Sequence, residues 1–389
     1  MPSARRTAAI AALAALPAAI AYRFAVVYRA RAGFPRRHEP NVVPSEVGLP
    51  YEDLVVHADG VDLPAWFLPA EGGRRGPGVV LVHGWESARD RTLPNARFLH
   101  AAGFHVLTID VRGHGTNPPE HLPISGGEFG ADARAAVAAI LARPEVERAA
   151  ILGHSMGGIG AVLAAAGDPR IDAIVVVSAP ADPTRLTRQT FRLAHLPIPG
   201  IVAWPLAWLT ARIYVRPRGH VLEEVSASRA IARYRGPALL VHGAEDEVVP
   251  IGHHHRLAAA ARHGRAVELA PAPVETLVLP EGRHSWLYED ATYRRTVAAF
   301  LSRQLGGPLP PAVAGERAAA VDARRLPEVE QPFSTIEGGV GRKRTFAQLL
   351  GRRIVADVGE RPEAAAGTAI APGTREPEPV GATRSAGAD

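Results

Sequence analysis

The sequence predicts an α/β fold with a mostly parallel central sheet and helices on both faces. Three observations lead to it. Between about residue 50 and residue 305, short apolar runs of strand length alternate with longer runs of helical character. The runs GVVLVHG, FHVLTID, AIVVVSA and ALLVHG are too apolar to have a wet face, as expected of strands covered on both sides. The chain has 389 residues, 47% of them hydrophobic, which is enough to bury such a sheet in one large domain with accessories. Strands joined through helices run parallel, and ligands then bind at their carboxyl ends.

Taken in order, residues 1–49 form an N-terminal hydrophobic segment and linker. Within it, residues 7–28 reach the length of a membrane-crossing helix, interrupted by Pro17 and at the cost of including Arg23. Arginines flank both sides, so orientation is undecided. Three readings compete: a membrane anchor, which the length favours; a signal peptide cut after Ala19-Ile20-Ala21 and a secreted product; and a soluble N-terminal helix. YEDLVVHADGVDLPAWFLPA then reads as a hairpin turning at Asp59-Gly60. The alternating domain occupies residues 50–305. Its helices are expected near 94–102, near 129–143 and from Met156 onward, and RAAILG and VETLVL supply further strands. Residues 182–236 exceed what one connecting helix needs, and the apolar, aromatic LPIPGIVAWPLAWLTARIY marks them as a helical cap insertion. Residues 306–389 are rich in Pro, Ala and Gly and are expected to be disordered, apart from one short helix over TFAQLLGRRIVADV.

The stretch ILGHSMGGIG concentrates glycines around one hydroxyl. Ser155 follows an apolar strand and opens a helix, so it stands on a tight strand-to-helix turn where neighbouring backbones crowd and only small flanking residues fit. Its hydroxyl then lies at a helix N-terminus, where free N–H groups favour negative charge. A serine needs a base, and the base needs a carboxylate to orient it. The loop after ALLVHG carries Asp246 and the loop after VETLVL carries His284, so Ser, Asp and His follow strands in that order. Glu245, Glu247 and Asp182 are rival carboxylates.

With these motifs assembled, residues 51–305 resemble the α/β-hydrolase superfamily. The matching pieces are His83-Gly84-Trp85, the Asp110-to-Gly115 loop, the Ser155 turn, the run from His242 to Pro250, and Gly282-Arg283-His284. The resemblance implies the α/β-hydrolase fold, with Asp246 as acid, His284 as base, and the backbone N–H groups of Trp85 and Met156 as oxyanion hole. It implies a serine hydrolase cleaving carboxylic esters, with small-molecule or lipid-like esters as substrates. Acyltransferase, thioesterase and serine peptidase are alternatives using the same residues, and a non-catalytic binding protein of this fold is a further one. A lipase-type His-Gly-Gly-Gly loop is absent, and the aspartate of dehalogenases is replaced by Ser155.

Composition narrows the remaining classes. Cysteine is absent, which excludes disulfides, thiolate metal sites and cysteine nucleophiles. The net charge of +5 comes from scattered arginines without an aromatic-interleaved stripe, so no nucleic-acid partner is expected. No metal or organic cofactor is expected either. His253-His254-His255 lacks the i, i+4 spacing of paired helical ligands and reads as a helix start on the surface, while His83 and His242 read as parts of strand-end turns and His114 and His154 as local hydrogen-bonding groups.

Overall fold

The computed structural model describes residues 4–266 and 271–323, with side chains from residue 15 onward. At its centre is an eight-stranded sheet in the order β1-β2-β4-β3-β5-β6-β7-β8. β1 (Glu52–Ala58) and β2 (Val61–Leu68) form the antiparallel hairpin, and Asp59 and Gly60 both take the positive φ (47° and 79°) that its two-residue turn demands. β2 pairs antiparallel with β4 (His105–Ile109). The remaining strands, β3 (Gly76–Val82), β5 (Val146–His154), β6 (Ile171–Val177), β7 (Ala238–Gly243) and β8 (Val274–Leu279), run parallel to one another and to β4.

Helices cover both faces. α3 (Gly126–Leu141), α4 (Met156–Gly167), α7 (Ala227–Ile231) and α8 (Gly252–Arg265) close one core, centred on Val80, Ile151, Ile174 and Leu240. α2 (Leu93–Ala101) and α9 (Ala291–Leu305) close the other, around Leu81, Leu152, Val175 and Leu239. Alternate residues of the same strands therefore face opposite cores, which is why these strands read as continuously apolar. The chain leaves β3 toward β4 on one side and returns to β5 on the other. This reversal opens a crevice at the carboxyl ends of β3 and β5, where such sheets bind ligands.

Two expectations are modified. The start of the tail is ordered: α10 (Pro311–Ala320) packs on α9 through buried Ala314 and Ala318. The buried Arg294 guanidinium ties it down, donating to the carbonyls of Ala318 and Ala319 as well as those of Tyr288 and Glu289. Small residues that read as disorder-promoting here permit close helix approach. The helix expected over residues 345–358 and the Pro/Ala-rich stretch 360–389 lie outside the described residues.

The N-terminal stretch is helical, α1 (Ala4–Ala32), but among the described residues no helix is long and apolar enough to cross a membrane. Its last turns bury Ala25, Tyr28 and Ala32 against protein. The partner surface is the segment between β6 and β7, which holds α5 (Pro183–Leu193), α6 (Gly200–Val215) and α7. The Phe191 ring meets Phe24 and Tyr28 edge-on at centroid distances of 5.5 and 5.7 Å. His220, beyond α6, donates to Glu128 Oε1 at 2.8 Å and so pins this segment to α3. Glu128 also closes the α3 N-terminus by accepting from the Ser125 backbone N–H.

Candidate functional site

Ser155 sits between β5 and α4 with φ 53° and ψ −116°, a conformation that L-residues adopt only under constraint. The flanking glycines supply that constraint. A Cβ on Gly153 would lie 2.1 Å from the Gly157 carbonyl oxygen, and one on Gly157 would lie 2.1 Å from the Val82 carbonyl oxygen. Neither clash can be relieved by a side chain, so strand, turn and helix are locked together by backbone. Backbone hydrogen bonds complete the lock: the Ser155 N–H donates to Val177 O at 2.8 Å, and Ser155 O accepts from Gly158 at 3.0 Å.

The hydroxyl points at an imidazole. Ser155 Oγ donates to His284 Nε2 at 3.1 Å, and His284 Nδ1 donates to Asp246 Oδ2 at 2.8 Å. This network fixes the imidazole tautomer with its lone pair toward the serine. Asp246 is fully enclosed: its Oδ1 accepts from the Val249 N–H at 2.7 Å, and the buried His242 ring stands 3.3 Å from Oδ2. Burial alone would raise the Asp246 carboxyl. The adjacent His284 and His242 rings and their hydrogen bonds outweigh it and hold the group well below the ordinary carboxylate range.

The rival carboxylates stand elsewhere. Glu245 and Glu247 are exposed, while Asp182 caps α5, accepting from the Arg185 N–H and pairing with its guanidinium. Trp85 and Met156 line the same cavity as Ser155, one on the loop after β3 and the other at the first position of α4.

Several histidines have supporting roles that the sequence did not show. His154 donates from Nε2 to the carbonyl of His284 at 2.8 Å, holding the loop that carries the imidazole. His242 donates to Val249 O at 2.7 Å and braces the turn that carries Asp246. His83 accepts from the Val111 N–H and donates to Gly84 O, shaping the loop before Trp85; burial pushes its pKa below the ordinary value. The reading of 253–255 as surface residues is corrected for two of the three. His253 and His254 are buried, burial lowers both to about 4, and His253 accepts from the Ala181 N–H. Among the described residues, no three metal-ligating side chains converge.

Above Ser155 lies a cavity of about 220 Å³. Its far wall comes from α1, α5 and α6, including Tyr28, Leu186, Thr190, Ala211 and Tyr214. Its hydroxyls are already engaged. Tyr28 donates to Thr190 Oγ1 at 2.6 Å, Thr190 donates to Thr187 O, and Tyr214 donates to Ile124 O at 2.8 Å. Burial pushes the Tyr28 phenol up to about 12, so it stays neutral. What faces the cavity is therefore chiefly ring and aliphatic surface.

The comparisons agree with this architecture. A family model described as serine aminopeptidase, S33, matches residues 77–230. An uncharacterized protein of Mycobacterium tuberculosis is 31% identical over 222 residues, covering 56% of this chain and 70% of that one. The α/β-hydrolase domain-containing protein WAV2 of Arabidopsis thaliana is 26% identical over 280 residues, covering 67% of this chain and 82% of that one. The chain belongs to the α/β-hydrolase superfamily. Among solved structures, an esterase of Pyrococcus furiosus superposes on this α/β-hydrolase with a TM-score of 0.56 at 20% identity, covering 71% of this chain and 99% of that one. At that identity, the likeness concerns the fold.

Proposed function

We propose that this α/β-hydrolase is a serine esterase cleaving carboxylic esters of hydrophobic acyl groups. The observation that carries the reading is the unbroken hydrogen-bond chain from Ser155 Oγ through His284 to Asp246 at the floor of an apolar cavity. As Ser155 Oγ attacks the ester carbonyl carbon, His284 Nε2 takes its proton, and Asp246 stabilises the imidazolium that forms. The backbone N–H groups of Met156 and Trp85 meet the developing oxyanion, each such donor being worth about 3 kcal/mol to a transition state of this kind. The protonated His284 then delivers its proton to the departing alkoxide, leaving an acyl group on Ser155. Water, deprotonated by the same imidazole, releases the acid and restores the serine. The far wall from α1, α5 and α6 acts as a cap that houses the acyl chain.

A second reading, aminopeptidase activity, is favoured by the description of the matching family model. Acyltransfer and thioester hydrolysis would use the same steps with another acceptor or leaving group. A panel of p-nitrophenyl esters of increasing acyl length, run beside acyl thioesters and aminoacyl p-nitroanilides, separates these readings. Esterase activity that rises from acetate to longer acyl groups is the expected result. Strict preference for acetate, or faster turnover of the anilides, would overturn the assignment.

A further inference from the structure

The segment between β6 and β7 has an outer surface that ester cleavage does not use. Along α6, Ile201, Trp204 and Trp208 stand at helical spacing, 87%, 38% and 49% exposed, while Ala203, Ala207 and Ala211 bury the opposite side. α1 runs beside α6 in the same direction: the Tyr28 ring meets Tyr214, Arg29 donates to Ile213 O, and Phe24, one turn earlier, packs in the same cluster as Leu206. The exposed Leu16 and Ile20 of α1 therefore emerge toward the Ile201 end of α6. Both helices thus present large apolar side chains to water.

Charge is segregated to the same place. Residues 183–222 contain six arginines and no aspartate or glutamate, and α1 and α8 contain no acidic residue either. Arg185, Arg188 and Arg192 of α5 and Arg256 of α8 line a cleft of about 520 Å³, with Trp204 as one wall. The Arg185 and Arg188 guanidinium groups lie 4.9 and 4.8 Å from the Trp204 ring centroid. Among the described residues, only Arg185 of these four has a carboxylate partner, Asp182.

We propose that this face seats the protein peripherally on a bilayer bearing anionic phospholipids. The Trp204–Trp208 row sits at the boundary of headgroups and acyl chains, and the arginine cleft holds headgroup phosphates. Tryptophan favours that boundary because its ring is apolar and its N–H polar. Arginine matches phosphate with paired donors, and an apolar stripe flanked by cations is the pattern of helices that lie in the interface plane. A second copy of the chain does not fit, because two such faces, each with more arginines than carboxylates, repel each other. The inner sides of α5 and α6 line the catalytic cavity, so a docked molecule holds that cavity against the lipid surface.

The test is cosedimentation of the full-length protein with sucrose-loaded vesicles of phosphatidylcholine, alone or doped with phosphatidylglycerol. Binding is expected only to the doped vesicles and should weaken steeply as salt is raised. The pairs Arg188→Glu with Arg192→Glu, and Trp204→Ser with Trp208→Ser, should each lower partitioning at least about tenfold. Fluorophosphonate labelling and hydrolysis of a soluble ester should stay at the wild-type level, showing intact folds. Ser155→Ala should bind vesicles like wild type, so failure of the esterase reading leaves this proposal standing. Equal binding to neutral and doped vesicles, or partitioning unchanged by both double variants, would overturn it. So would full competition by millimolar inorganic phosphate, or a dimer that hides the tryptophans without any vesicle binding.

Discussion

Replacing Gly153 with alanine puts a methyl carbon 2.1 Å from the Gly157 oxygen, 2.4 Å from its carbonyl carbon and 2.8 Å from the Gly158 nitrogen. All three atoms are backbone in the first turn of α4. Real contacts of this kind stay above 3.0 Å, so strand end and helix start must separate by at least the difference, 0.9 Å. Ser155 lies within that turn, and its Oγ is 3.1 Å from His284 Nε2. A displacement of about 1 Å at a reacting atom typically costs about a hundredfold in rate. Overpacking of this kind costs about 1–3 kcal/mol of stability, or about 3–10 °C in Tm for a domain of this size. The assay is initial-rate hydrolysis of p-nitrophenyl butyrate beside calorimetry, with Gly200→Ala as control. Nothing lies within 4 Å of a Cβ at Gly200, so that variant should match wild type in both. Wild-type kcat and Tm in Gly153→Ala would refute the account of a close-packed, strained serine turn.

Further outcomes follow from the supporting groups. Asp246→Asn keeps the shape but removes the charge that the imidazolium needs, so kcat should fall about 10³–10⁴-fold with little change in KM; activity within tenfold of wild type would exclude the carboxylate from this role. His154→Ala removes the donor to the His284 carbonyl, worth about 1 kcal/mol, and should lower kcat about fivefold while the pH profile keeps its form. His220→Gln should show a stability loss that depends on pH. The Glu128 hydrogen bond raises His220, so its contribution is whole below 6.5 and disappears as pH rises through the raised value. Burial alone would raise Glu128, but bonds to His220 and Ser125 lower it, so its share is present above 4.5 and is lost only in stronger acid. The gap in Tm between wild type and variant should therefore be widest between 4.5 and 6.5 and should close as pH rises through the raised value of His220. Because Glu128 is buried and the His220 side chain is 27% exposed, the loss should be that of a charge-assisted hydrogen bond, about 1.5 kcal/mol. A gap that is flat with pH would show that the ion pair does not form.

The sheet and the grouping of its candidate site residues were legible because they rest on local signals. Asp59-Gly60 announces its turn by the backbone it requires, and the glycines around Ser155 announce a crowded one. The order of Ser155, Asp246 and His284, each directly after a strand, places all three at one end of a parallel sheet before any distance is known. What stayed hidden depends on contacts distant in sequence. The 162-residue separation between Tyr28 and Thr190 leaves no trace in the local pattern, so α1 read as an apolar run rather than as a wall of the cavity. His154 read as a local hydrogen-bonding group, and its partner, the carbonyl of His284, lies 130 residues away. His253 is buried and accepts from the Ala181 N–H, a contact 72 residues away that helical periodicity cannot signal. In the tail, composition suggested disorder where Ala314 and Ala318 instead let two helices meet closely.

The central claim is that the hydroxyl of Ser155 is the nucleophile activated by His284. Mass spectrometry of the intact protein after exposure to a fluorophosphonate, followed by peptide mapping, addresses it directly. One adduct per chain, located on Ser155 and missing from both Ser155→Ala and His284→Ala, is the predicted result. An unmodified wild-type protein, or an adduct that persists in Ser155→Ala, would contradict it.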